Sequence, residues 1–94
     1  MPLSLKFIGA LRSIWGFAGS TMDISESTTI KDLINLVVQR VPSIESSLVD
    51  TNFEDPKAIA LILVNGKEIS VLAGLNTVLR EGDEITFIPV VHGG

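Results

Sequence analysis

"STTIKDLINLVVQRVP", residues 27–42, is the stretch that decides the fold. Ile30, Leu33, Ile34, Val37, Val38 and Val41 recur at helical spacing, so one face is apolar. Thr29 is a good N-cap, and Asp32 stands three residues on, where a carboxylate favours the helix dipole. Pro42 disfavours helical geometry at Val41 and ends the run. The spacing predicts a helix over 30–41, the one long helix of the chain.

Outward from that helix the apolar segments read as strands. Upstream, "LSLKFIG" sets Leu3, Leu5 and Phe7 against Ser4, Lys6 and Ile8, a period of two. "ALRSIWGFAGS" reads as a helical turn around residues 11–15, followed by a loop broken at Gly16 and Gly19. "TMDIS" is a second strand with Met22 and Ile24 on one face. Downstream, "SIESSLVD" reads as one further turn and "NFEDPK" as a polar loop. "AIALILV" is a continuous apolar strand of the kind that lies inside a sheet. Asn65-Gly66 is the strongest short turn signal. "KEISVLAGLNTVL" returns as a short strand and an irregular crossover, and "REGDE" turns at Gly82. "EITFIPV" is the last strand, with Ile85 and Phe87 on one face and Thr86 and Ile88 on the other. Pro89, which donates no ladder bond, belongs at its end.

Strands are thus expected near 3–9, 20–25, 58–64, 67–71 and 84–90. Two strands before a helix and two or three after it predict an α+β fold, one helix across a mixed four- or five-stranded sheet. The first and last strands are expected side by side in its centre. The expected core includes Leu5, Phe7, Ile24, Leu33, Val37, Ile62, Ile85 and Phe87.

Composition narrows the function. The chain has 94 residues and a formal net charge of -4. One domain is expected, and the charge disfavours nucleic acid and anionic membrane as partners. Apolar residues are 46% of the chain, which speaks against disorder. No apolar run is long enough to span a bilayer, and "MPLSLKF" does not read as a signal peptide, so a cytoplasmic protein is expected. The chain has no cysteine. Disulfides, thiolate metal sites, cysteine nucleophiles and cysteine persulfides are thereby excluded. One histidine, in no metal-binding pattern, makes a metal site unexpected.

The order of elements resembles the ubiquitin-like β-grasp fold. "FIGALRSIWG" resembles the first strand and following turn of MoaD-type proteins, with Arg12 at the family's arginine position. "LREGDEITFIPVVHGG" resembles their last segment: a Gly-Asp-Glu turn, an apolar strand, a proline and a final Gly-Gly. The resemblance covers essentially the whole chain. It points to the MoaD/ThiS sulfur carriers and the ubiquitin-related modifiers, the "HGG" ending being more similar to the latter. It implies a β-grasp domain over 1–91 and a flexible tail, His92, Gly93 and Gly94.

The resemblance also implies the chemistry. An activating enzyme of the MoeB or ubiquitin-activating type adenylates the carboxylate of Gly94 with ATP, and sulfur then displaces AMP to leave a thiocarboxylate. A terminal carboxyl with a reference pKa of ~3.3–3.7 is ionised and able to attack phosphorus. Glycines without Cβ atoms suit a narrow channel. Such a carrier is not itself an enzyme. It binds no permanent cofactor, and its partners are the adenylating enzyme and a MoaE-like large subunit of molybdopterin synthase. His92 is read as lining the partner's channel rather than as a base. The same activated Gly94 also suits a modifier that forms isopeptide bonds, or a donor for tRNA thiolation; a plain β-grasp binding module is the third reading. Strand parity points Ile8 and Ile88 outward, and the ubiquitin-like pattern puts Leu63 with them. The three are expected to form an apolar docking patch, against scattered surface apolars as the plainer alternative. Trp15 is expected to close the end of the core.

Overall fold

The computed structural model describes residues 1–17, 19–50 and 57–90. The strands are β1 (Pro2–Phe7), β2 (Ser20–Asp23), β3 (Val49–Asp50), β4 (Lys57–Ala58), β5 (Leu61–Val64), β6 (Lys67–Glu68) and β7 (Glu84–Ile88). The helices are α1 (Ala10–Trp15), α2 (Ile30–Arg40) and α3 (Glu45–Leu48). Single 3-10 turns occupy Pro42–Ile44, Ile69–Val71 and Gly74–Asn76.

Five strands form one mixed sheet in the order β2-β1-β7-β5-β6. β1 and β7 run parallel in the middle, with Leu5 opposite Ile85 and Phe7 opposite Phe87. The other pairings are antiparallel. Alternation along β1 and β7 sends Leu3, Leu5, Phe7, Ile85 and Phe87 to one face, where all are buried. α2 lies over that face with Ile30, Leu33, Ile34 and Val37 buried. It begins with a reciprocal cap. Asp32 N–H donates to Thr29 Oγ1 at 3.2 Å, and Thr29 N–H donates to Asp32 Oδ2 at 3.0 Å. The layers are those of the ubiquitin-like β-grasp, with the expected residues in the core.

Several boundaries differ from expectation, each for a local reason. The fourth strand stops at Glu68 rather than running to 71. There the Glu68 carboxylate accepts Ser70 N–H at 2.7 Å and starts a 3-10 turn. The third begins at Leu61 rather than 58, because Lys57 and Ala58 pair instead with Asp50 and Val49 in a separate two-stranded sheet. "SIESSLVD" therefore supplies a 3-10 turn, α3 and β3 rather than one turn. It also adds Ile44, Leu48 and Val49 to the core. β2 ends at Asp23, although Ile24 just past it stays buried. β1 ends at Phe7, ahead of Gly9 with its positive φ of 58°. β7 ends at Ile88, ahead of Pro89. The Asn65-Gly66 turn has φ 51° and 83°, the left-handed pair a tight hairpin requires.

Candidate functional site

The sheet's outer face, away from α2, carries the candidate docking residues. One step beyond the Phe7–Phe87 pair, Ile8 N–H donates to Phe87 O at 3.0 Å, which sets Ile8 beside Ile88. On the other side of β7, Leu61 is the register partner of Ile88. Ile8, just past the end of β1, thus makes a row with Ile88 of β7 and Leu61 of β5 at the end where β7 stops. Ile8 and Leu61 are each 37% exposed, and Ile88 is half-buried. Leu63, also half-buried, lies one row further back. It is paired with Thr86, whose other neighbour is Lys6.

The structure therefore brings Ile8 and Ile88 together, sets Leu63 in the adjoining row, and adds Leu61. Leu61 is not distinguished by the sequence, because "AIALILV" is apolar on both faces. Alternation alone does not say which residue of β5 meets Ile88; that is a property of the β5–β7 register. Such a row removes apolar area from water at about 25 cal/mol per Å² when a partner covers it.

The rest of this end of the molecule is built around Trp15. Its ring is buried and stacks on Phe7 at 4.7 Å between centroids, and Phe7 stacks on Phe87 at the same distance. The indole N–H donates to Ser20 Oγ at 2.8 Å. Phe17 packs edge-on against Trp15, and the Arg40 guanidinium sits 4.9 Å over the Phe17 ring. Trp15 closes the core here. Arg12 is exposed and lines a shallow depression with Ser13, Gly16 and Phe17. Among the described residues there is no group of three or more His, Cys, Asp and Glu placed to hold a metal ion. None of their helices is long and apolar enough to cross a membrane. The sequence-expected tail, His92, Gly93 and Gly94, lies outside the described residues, as does the domain boundary drawn at Val91.

Comparison with known proteins agrees with this architecture. The model of the ThiS family matches residues 5–94. The small archaeal modifier protein 3 of Haloferax volcanii is 26% identical over 94 residues, covering 100% of both chains. A putative sulfur carrier protein of Archaeoglobus fulgidus is 33% identical over 70 residues, covering 74% of this chain and 78% of its own. Among solved structures, SAMP1 of Haloferax volcanii superposes with a TM-score of 0.81 at 23% identity, covering 100% of each chain, a likeness of fold. With its central parallel β1–β7 pair and a family match over nearly the whole length, the chain belongs to the ThiS family, among small ubiquitin-like sulfur carriers and protein modifiers.

Proposed function

We propose that this protein is a sulfur carrier working through the carboxylate of Gly94. That carboxylate attacks the α-phosphate of ATP on an activating enzyme of the MoeB or ubiquitin-activating type. The acyl-adenylate forms and pyrophosphate leaves. Sulfide then attacks the acyl carbon, AMP leaves and a thiocarboxylate remains. Where a persulfide attacks instead, AMP leaves an acyl disulfide, and a second thiol cleaves its S–S bond, departing as a disulfide and freeing the thiocarboxylate. In this reading the sulfur passes to a MoaE-like subunit that builds the molybdopterin dithiolene. The carrier supplies the reacting terminus and a surface to grip, and its partners supply catalysis and ATP, so the reaction belongs in the cytoplasm.

The observation that carries the reading is the family match, which extends through Gly93 and Gly94. The row of Ile8, Ile88 and Leu61 at the end of β7 supports it, since a docking surface beside the chain's exit holds the carrier while the terminus reaches the nucleotide. Intact-mass spectrometry of the protein from its own cells tests it. A chain ending at Gly94, heavier by the replacement of one oxygen with sulfur, is expected. Only the plain carboxylate, in cells active in sulfur transfer, would remove the proposal. A modifier role is the second reading, favoured by the full-length likeness to a protein named as a modifier. It predicts instead a ladder of larger conjugates joined through Gly94 to lysines.

A further inference from the structure

The two central strands leave the sheet side by side. Beyond the bond from Ile8 N–H to Phe87 O, two residues of restricted chemistry meet. Gly9 has φ 58° and ψ -135°, a combination that a side chain disfavours. Its carbonyl accepts Arg12 N–H at 3.0 Å and so begins α1, which is anchored by buried Leu11 and Trp15. Pro89 has its φ set by the ring and no N–H to extend the ladder. A Cβ placed on Gly9 would lie 3.3 Å from Pro89 Cγ and 3.8 Å from Cδ. The proline ring therefore rests on the bare face of Gly9, on a segment held in place by α1. Glycine suits the position twice: a side chain is strained at this φ, and a Cβ would require the Pro89 ring to give by a few tenths of an ångström.

We propose that Gly9 and Pro89 form a positioning pair that sets the direction in which the chain runs on from the end of β7 through Val90, and so how readily a docked carrier presents Gly94 to the reacting phosphate. The inference rests on the carrier reading above. Every residue between sheet and terminus that must be ordered on entry to the partner's pocket adds conformational entropy to the barrier. A Pro89 already fixed against Gly9 removes one residue from that cost. Docking strength comes from the apolar row; the pair acts after docking, on kcat rather than KM.

The test uses Pro89→Ala, Gly9→Ala and the double variant in ATP–pyrophosphate exchange with the activating enzyme. It runs beside thermal melts and the backbone N–H residual dipolar coupling of Val90. Pro89→Ala should lower kcat about tenfold, the effect of freeing roughly one backbone residue. KM should stay within about twofold. Tm should hardly move, and the Val90 coupling should fall toward zero. Gly9→Ala should lose kcat by a similar factor. The double variant should be no worse than the poorer single one, because both act through one contact. If Gly9→Ala fails to fold, Pro89→Ala alone decides. Unchanged kcat and Val90 coupling in Pro89→Ala overturn the pair. So does a loss confined to KM, or one that multiplies in the double variant. No exchange by the wild-type chain, with enzyme active on its own carrier, overturns the carrier reading instead; the Val90 coupling then decides whether the pair fixes the exit direction.

Discussion

Gly94 is the residue on which the proposed chemistry turns, and it brings no side chain to the fold. The buried cluster runs from Leu3 to Phe87. Gly94→Trp, or removal of Gly94, should therefore abolish ATP–pyrophosphate exchange while stability shifts by no more than the ~0.5 kcal/mol usual for surface changes. A displacement of ~1 Å at the reacting carboxylate already costs ~100-fold. A thermal melt beside the exchange assay reads both; normal exchange by the shortened chain would take the terminus out of the mechanism. Trp15 is the opposite case, a residue whose value lies in packing and one bond. Trp15→Phe keeps an aromatic ring against Phe7 but loses the indole N–H to Ser20 and leaves a gap. It should cost about 1–3 kcal/mol, read from urea unfolding. A neutral result would mean that Ser20 and the ring neighbours close over the site. That Trp15 belongs to the core was legible in the sequence. Its stack through Phe7 to Phe87 was not, because the three rings come from α1, β1 and β7 and only the fold aligns them.

At the scale of elements, α2 was the most legible part of the molecule. Thr29 and Asp32 declare its start and Pro42 its stop, all within hydrogen-bond reach along the chain. Thr29→Ala removes the side-chain half of the cap and should cost about 1 kcal/mol, which for a domain of this size lowers Tm by ~4–8 °C. No change in Tm would mean the helix start is held mainly by its tertiary bonds, such as Ile30 N–H to Thr77 O at 3.0 Å. The outer sheet face was legible only by parity. Ile8→Asp, Ile88→Asp and Leu61→Asp should each raise KM for the activating enzyme several-fold with the fold retained, since their row lies on the side away from the core. Leu63→Asp should have the smaller effect, being a row further from the chain's exit. Equal effects of Leu61 and Leu63 in the exchange assay would show that the partner covers both rows. Global unfolding of Ile8→Asp and Ile88→Asp would contradict the register itself.

At the scale of the whole molecule, stability depends on joining the two ends of the chain. β7 sits between β1 and β5 and contributes Ile85 and Phe87, both fully buried. The turn before it is tied to the β5–β6 hairpin. Asn65 Nδ2 donates to Asp83 Oδ1 at 2.9 Å, Glu84 N–H donates to Asn65 Oδ1 at 2.9 Å, and Arg80 N–H donates to Asp83 Oδ2 at 2.8 Å. A chain ended at Arg80 should show no cooperative melt by circular dichroism, whereas one ended at Val90 should melt close to the full-length protein. A folded chain lacking β7 would mean that the helix and the hairpins suffice alone.

By itself the sequence determined the periodicities and the punctuation: one capped helix, strands on either side of it, Asn65-Gly66 and Gly82 turns, Pro89 at a strand end. These are interactions between near neighbours, and their residue types are enough to specify them. The β-grasp order and the motif around Gly93 and Gly94 were readable for the same reason, as patterns along one dimension. Tertiary structure decided what depends on distant partners. Ala58 left the long apolar strand and, with Lys57 from the expected polar loop, paired with Val49 and Asp50, a choice between two partners that local propensity does not make. Residues 69–71 turned to 3-10 where Glu68 capped them rather than continuing a strand. Leu61 rather than Leu63 joined Ile8 and Ile88, because register is set by the whole β5–β7 ladder and not by the alternation of either strand. And Gly9, legible in sequence only as a strand's end, met Pro89 because parallel pairing of the first and last strands brings residues 80 positions apart into contact.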